Sequence, residues 1–295
     1  MPPQKRLPIV GSEAARTPAE SVLRAALEAT GQAVAVEHWA PKPHLLAESL
    51  APLRRGTYLG AMIAAPYKER AAAALTALSD DAKLTGAVNT VVREGTRLRG
   101  YNSDVDGIRA GLTAILPRVQ GKWPRDAIVL GAGGGARAAV AVLIGASFQR
   151  VVVFNRHLHR GEALVAHFGR STRHMELRAL PWHETFLDAE LAKAGVLINA
   201  SGIGLEEGAA SPLATASLPS GLAVLDLVLH PGSTPLMRAA KAEGGSVANG
   251  QHSFLTAQAI SFRLWTGIEA PGEAMRAALT AAIGAPEGEA SVVGD

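Results

Sequence analysis

No cysteine occurs in the sequence, which excludes a disulfide scaffold, a thiolate nucleophile and any cysteine-ligated metal. Aromatic side chains are scarce at 4% of residues, so alanine and glycine must fill much of the interior, a composition suited to close packing of helices on sheets. Charge is sparse too: 19% of residues are charged and the formal net charge is +3. Lys and Arg are scattered, without the basic stripe that a nucleic-acid surface needs, so small anions are the partners to consider. Long apolar runs are also missing. The N-terminal Met1-Pro2-Pro3-Gln4-Lys5-Arg6 leads only into apolar residues 7–10, too short for a signal-peptide core or a membrane span. A soluble cytoplasmic protein, binding neither nucleic acid nor membrane, is expected.

What is present is a chain of 295 residues with 48% apolar content, enough for two domains with their own cores. Strands are expected at residues 7–11, 34–39 and 58–64, and a hairpin at 87–93 and 97–101 around Glu94-Gly95-Thr96. Thr17-Pro18-Ala19-Glu20 reads as a helix start, with Thr at the N-cap, Pro at the first helical position and Glu three after the cap. Val22, Leu23, Ala26 and Leu27 then share one face, and Gly31 ends the helix. Residues 45–53 and a run from Pro66 through Leu78 are further helices. This first part is an α/β unit with a partly parallel sheet.

The pattern restarts after a connecting helix at 105–116, ended by Pro117. Strands are expected at 127–130, 150–154, 175–180, 195–199, 223–227 and 246–248. A helix rich in Ala and Val covers 137–145, and others fill the gaps, giving a doubly wound Rossmann-type domain. Residues 254–266 and 274–283 read as terminal helices, and 284–295 as a loose tail.

Gly131-Ala132-Gly133-Gly134-Gly135-Ala136 fits the G-x-G-x-x-A loop between a strand and a helix. Gly131 permits the tight turn, Gly133 lets the backbone approach a pyrophosphate, and Ala136 allows close packing of helix on strand. The helix N-terminus offers free N–H groups to phosphates. At the end of the next strand an NAD enzyme would usually carry Asp or Glu, which accepts from the ribose hydroxyls. Here the sequence is Asn155-Arg156-His157-Leu158-His159-Arg160. Arg156 and Arg160 suit a 2′-phosphate, which an acid would repel, so NADP is the expected cofactor. His157 and His159 alternate without a carboxylate cluster and read as surface residues; no metal is expected.

Pro66-Tyr67-Lys68-Glu69, Gly86-Ala87-Val88-Asn89-Thr90 and Gly100-Tyr101-Asn102-Ser103-Asp104, all in the first unit, resemble in turn the P-x-K segment, the G-A-V-N-T run and the G-x-N-[ST]-D run of the shikimate dehydrogenase family. The likeness continues through Gly131 to Arg137, Asn155-Arg156, Ile198-Asn199-Ala200-Ser201, Asp226 with Pro231, Thr234-Pro235-Leu236 and Gln258, in the family's order over roughly residues 7–268. By position the resemblance implies Lys68 and Asp104 as the catalytic pair and Thr17, Asn89 and Gln258 as substrate ligands. It counts Asn155 and Ser201 with the cofactor residues. It also implies that the terminal helices return to the first domain, giving a substrate domain of residues 1–104 and 250–295 and an NADP-binding domain of 105–249.

Departures cluster on substrate recognition. The family's Ser-x-Ser before Pro is Ala15-Arg16-Thr17, its N-V-T is Met62-Ile63-Ala64, and its Tyr in D-x-x-Y-x-P is Leu229. Each hydrogen bond to a charged group is worth about 1.5–3 kcal/mol, so losing two or three should weaken shikimate binding by roughly a hundredfold or more. Arg16 could supply a new carboxylate contact or stand in solvent. The resemblance implies hydride transfer between NADP(H) and a cyclic hydroxy acid, with shikimate and 3-dehydroshikimate the best single choice, as in aromatic amino acid biosynthesis. Quinate or a less polar substrate is the alternative, and a non-catalytic NADP-binding sensor the reading from another class. Monomer and homodimer both remain open.

Overall fold

The computed structural model describes residues 4–116, 125–169, 171–172, 174–204, 211–213 and 218–284, with the backbone alone for 14–16. Pro117, the side chains of Ala15 and Arg16, and residues 285–295 lie outside the described residues.

The first half builds a six-stranded mixed sheet from β1 (Lys5–Val10), β2 (Val34–Trp39), β3 (Gly60–Ile63), β4 (Ala77–Leu78), β5 (Thr90–Glu94) and β6 (Arg97–Tyr101). Its order is β2-β1-β3-β5-β6-β4. β1 runs parallel to both β2 and β3, and β5 pairs antiparallel with β3 and with its hairpin partner β6. Helices α1 (Glu13–Ala29), α2 (Leu46–Leu50), α3 (Lys68–Ala74) and α4 (Asp80–Thr85) connect these strands. Buried Val22, Leu23, Ala26 and Leu27 of α1 pack with Leu7, Ile9 and Met62 on one face of the sheet. Val10, Ile63, Val88 and Val91 pack with Leu50 and Leu53 on the other.

Two sequence expectations need correction here. α1 begins at Glu13, after Ser12 in extended conformation, and Pro18 lies inside it. Thr17 is therefore not the cap; its hydroxyl donates to the Glu13 carbonyl at 3.2 Å. Pro18 removes one intrahelical donor, and the buried face of the helix, Ala19, Val22, Leu23, Ala26 and Leu27, begins after it. The helix read as running to Leu78 stops at Ala74. Leu78 instead joins β4, parallel to β6, and Ser79 caps α4 by accepting from the Ala82 amide at 3.2 Å. Gly86, at φ +61, closes α4 in the left-handed region.

α5 (Asp104–Ile115) leads into the second sheet, formed by β7 (Asp126–Leu130), β8 (Arg150–Asn155), β9 (Glu176–Pro181), β10 (Val196–Asn199), β11 (Ala223–Asp226) and β12 (Val247–Asn249). Its order is β12-β11-β10-β7-β8-β9, parallel throughout. Strands such as β8, with Val151, Val152, Val153 and Phe154 all buried, are apolar on both faces because α6 (Gly134–Gly145), α7 (Leu158–Phe168), α8 (Glu184–Leu191) and α9 (Pro235–Ala242) cover the sheet. The strand order reverses between β7 and β10, where a parallel α/β sheet opens a crevice.

The chain then returns. α10 (Gly250–Thr266) lies along α5, where Gly107 and Gly111 admit it so closely that a Cβ at 107 would stand 2.1 Å from the Ser253 carbonyl oxygen. Farther along, the Trp265 indole donates to the Val91 carbonyl of β5 at 2.8 Å, and α11 (Gly272–Ile283) packs on α1. A second link ties α7 to the first half: a His167 ring nitrogen lies 3.0 Å from the Leu84 carbonyl oxygen, and the ring covers Gly86.

Candidate active site

Lys68 opens α3 and Asp104 opens α5. Ser103 is the N-cap, which leaves the Asp104 carboxylate in the first turn, where the helix dipole favours an anion. Lys68 Nζ donates to Asp104 Oδ2 at 2.5 Å, with both side chains about four-fifths buried at 23% and 20% exposure. The other carboxylate oxygen, Oδ1, accepts from Asn89 Nδ2 at 2.9 Å. Both oxygens are thus held, and the ammonium keeps its remaining donors for the cavity beside it.

Behind this pair stands a network that sequence reading did not find. Asn89 Nδ2 also donates to Ser103 Oγ at 2.8 Å, while its Oδ1 accepts from the Ser103 amide at 3.0 Å and the Thr90 hydroxyl at 2.9 Å. Ser261 of α10 completes it, lying 2.6 Å from Thr90 Oγ1 and 2.9 Å from Ser103 Oγ. A buried carboxamide with all its groups satisfied has one orientation. Ser103 belongs to the Gly100–Asp104 run, but Ser261 carried no local signal because the side chains it joins, Thr90 and Ser103, lie more than 150 residues away.

A cavity of about 210 Å³ adjoins the pair, walled by Ile108, Gly135, Leu227, Leu229 and Phe254. Leu229 and Phe254 pack on the apolar cluster that contains Met62, Phe262 and Trp265. Gln258 is half-buried on α10, and Thr17 is exposed on α1; neither lines this cavity. Ala64 is buried against Gly11.

At the crevice of the second sheet a cleft of about 540 Å³ gathers Gly131, Gly133, Asn155, Arg156, Arg160 and Ser201. Gly131 has φ +104, and a Cβ there would meet the Ala200 carbonyl at 2.6 Å, so the turn demands glycine. α6 starts at Gly134, three residues before the point predicted, which places its unpaired N–H groups at the loop. Ala136 is fully buried under it. Arg156 and Arg160 stand exposed on the rim, and the Asn155 side chain donates to the His157 carbonyl at 2.9 Å. Trp182, which sequence reading passed over, closes one wall. The glycine loop joins the two spaces: Gly133 faces the larger cleft, Gly135 the smaller cavity, and a Cβ on Gly134 would fall 2.9 Å from Lys68 Cδ.

Asn199 and Asp226 fix the strand tips beneath. Asn199 Nδ2 donates to Asp226 Oδ1 at 2.8 Å and Thr234 Oγ1 to Asp226 Oδ2 at 2.7 Å, while Ser201 Oγ donates to Asn199 Oδ1 at 2.6 Å. Burial pushes the Asp226 carboxyl above its usual value, although the Thr234, Val228 and Asn199 hydrogen bonds pull the other way. Among the described residues, no group of three His, Asp or Glu side chains is placed to hold a metal, and no helix is long and apolar enough to cross a membrane.

A parallel sheet of this order, with a glycine loop at its switch point and an Arg pair where an acid would select NAD, defines an α/β protein built to hold a phosphorylated dinucleotide. Residues 9–91 match the shikimate dehydrogenase substrate binding domain, and residues 118–202 match shikimate / quinate 5-dehydrogenase. The shikimate dehydrogenase (NADP(+)) of Geobacter metallireducens is 34% identical over 277 residues, covering 94% of this chain and 96% of that protein. Shikimate 5-dehydrogenase from Thermus thermophilus, solved in complex with NADP(H) and shikimate, is 33% identical and aligns with a TM-score of 0.72 over 94% of this chain and 99% of that one. Quinate dehydrogenase from Corynebacterium glutamicum in complex with NAD aligns with a TM-score of 0.80 over 94% and 99% of the two chains, and at 24% identity speaks for the fold alone. The chain belongs to the shikimate dehydrogenase family.

Proposed function

We propose that this protein is an NADP-dependent shikimate dehydrogenase, interconverting 3-dehydroshikimate and shikimate. The observation that carries the reading is the Lys68–Asp104 pair, 2.5 Å apart, at the end of a glycine loop that opens on a cleft rimmed by Arg156 and Arg160. The residues fit the cofactor: from Gly131 to Ala136 the loop carries no side chain beyond a methyl, so its backbone can approach a pyrophosphate, and Asn155, Arg156, Arg160 and Ser201 line the same cleft, where Arg156 and Arg160 would hold the 2′-phosphate. NADP supplies the hydride acceptor for the alcohol, and its reduced form the donor for the ketone.

The remaining chemistry falls to the protein. Reducing a ketone requires a proton at the oxygen as negative charge develops there. Lys68 Nζ, held by Asp104, delivers that proton and stabilises the oxyanion; in the reverse direction the neutral amine receives it. Asn89 anchors Asp104, and the substrate-ligand roles of Asn89, Gln258 and Thr17 rest on their match to the family's motifs, since none of the three lines the cavity beside the pair. In this reading residues 1–104 and 250–295 form the substrate domain and 105–249 the NADP domain, and the enzyme works in the cytoplasm as a monomer or homodimer.

Leu229 and Phe254, which wall the cavity beside the pair and pack on the apolar cluster that contains Met62, favour a second reading in which the substrate is a less polar cyclic hydroxy acid, or quinate. Initial rates for shikimate, quinate and less hydroxylated analogues, each with NADP and NAD, decide between them. Highest kcat/KM for shikimate with NADP supports the first reading, and a higher value for another acid supports the second. NADPH binding with turnover of none would return the protein to the sensor class.

A further inference from the structure

Arg137 sits in the first turns of α6, where the glycine loop becomes helix, and is only 8% exposed. Its guanidinium leaves its own sheet and reaches the first half of the molecule. Nη1 donates to the Thr85 carbonyl at 3.1 Å, and Nε lies 3.2 Å from Glu69 Oε2 in an ion pair off the N–H direction. Both contacts lead to the reacting groups. Glu69 follows Lys68 on α3. The Thr85 hydroxyl accepts from Asn102 Nδ2 at 2.9 Å, and Asn102 Oδ1 accepts from the Asp104 amide at 3.2 Å. The Lys68–Asp104 contact closes a ring that runs Arg137, Thr85, Asn102, Asp104, Lys68, Glu69 and back.

We propose that Arg137 is a positioning residue that sets Lys68 and Asp104 in register with the glycine loop. The inference rests on the dehydrogenase reading above, since register matters only if a cofactor held by that loop must meet the pair. A buried guanidinium that loses its partners is costly, so its two contacts are kept together. Its planar fork can serve both at once, which a lysine cannot do. Movement of the α6 N-terminus, and with it Gly134 against the Lys68 stem, is thereby tied to movement of both α3 and the start of α5. A misplacement of about 1 Å at a reacting group can cost on the order of a hundredfold in rate, which is the scale at which such a tie matters. The His167–Leu84 contact also joins the two halves but lies outside the ring, and so serves as the control for a purely structural tie.

The full chain is compared with Arg137→Met, Arg137→Lys, Glu69→Gln and His167→Ala. Readouts are kcat for shikimate with NADP, NADPH Kd by fluorescence titration, and the distance distribution between spin labels at Glu48→Cys and Glu162→Cys. Both label sites are exposed, and the chain has no other cysteine. Arg137→Met is expected to lower kcat by about tenfold or more, with Kd within about threefold of wild type and a broadened distance distribution. Arg137→Lys should fall between, Glu69→Gln should add nothing to Arg137→Met because the two share one contact, and His167→Ala should keep kcat within about twofold. Wild-type kcat in Arg137→Met overturns the proposal, as does a loss confined to Kd, an unchanged distance distribution, or an equal loss in His167→Ala. If Arg137→Met does not fold, Arg137→Lys and Glu69→Gln decide by the same kcat and Kd criteria. Absent turnover in a wild type that binds NADPH would overturn the dehydrogenase reading instead, and the distance measurement would still judge the tie.

Discussion

Lys68 and Asp104 are 36 residues apart in the chain and 2.5 Å apart in space, each at the first position of its helix. Their types and motifs were readable in sequence; the fixed geometry is not a property of either motif. Asn89 holds the carboxylate, Ser103 and Thr90 hold Asn89, and Ser261 of a distant helix holds Ser103 and Thr90. Lys68→Ala removes the proposed proton donor and should lower kcat by about 10²–10⁴-fold, with NADPH binding changed little. Steady-state rates and a fluorescence titration measure both, and unaltered turnover would remove Lys68 from the mechanism. On the cofactor side, Arg156 and Arg160 stand on the exposed cleft rim. Replacing both with Asp should raise the NADPH Kd by about tenfold to a hundredfold, from the loss of charge-assisted hydrogen bonds, while NADH binding holds or improves. Equal loss for the two cofactors would count against the assignment.

At the scale of elements, strands with continuous apolar runs such as β8 and the hairpin of β5 and β6 were legible because the local pattern and the turn residues agree. β4 and α4 were missed although Ser79-Asp80-Asp81 and Gly86 are ordinary start and stop signals. The alanine run before them, with Leu75 and Leu78, has the periodicity of a longer helix, and pairing of Ala77 and Leu78 with β6 outweighs it. The start of α1 was misplaced because the chain is already helical from Glu13, ahead of Thr17-Pro18, although its buried face begins only at Ala19. Helix approach is the other element-scale property. Gly107 sits where α5 meets α10, and an added Cβ would strike the Ser253 carbonyl, a backbone atom that cannot rotate away. Gly107→Ala should therefore destabilise the fold by about 1–3 kcal/mol, read as a lower urea midpoint. An unchanged midpoint would show that the two helices can separate freely.

For the molecule as a whole, Asp226 couples stability to pH. Its carboxyl is held above the ordinary value of 3.8 by burial. Below that value it is protonated in both folded and unfolded chains. As pH rises, the unfolded chain ionises first and the folded chain keeps its proton, so this contribution to stability falls until pH passes the raised folded value. Asp226→Asn retains the shape and cannot ionise. The stability of Asp226→Asn relative to wild type should therefore grow from about pH 3.5 to pH 7, as denaturant unfolding at several pH values would show. A constant difference would mean that the Asn199 and Thr234 hydrogen bonds fully offset burial.

By itself the sequence determined the two-part α/β architecture, the glycine loop, the cationic rim and the motifs that carry Lys68 and Asp104, because each of these is written in short contiguous segments with a local physical cause. Only the tertiary structure decided how those segments are held in register. Ser261 against Ser103, Arg137 against Thr85 and Glu69, and Gly134 against Lys68 are contacts between segments far apart in the chain. The tertiary structure also brought two of the departures, Met62 and Leu229, into one apolar cluster, of which Leu229 reaches the cavity beside the pair. The physical reason is that hydrogen bonding and burial depend on distance in three dimensions, which periodicity and motif spacing do not encode.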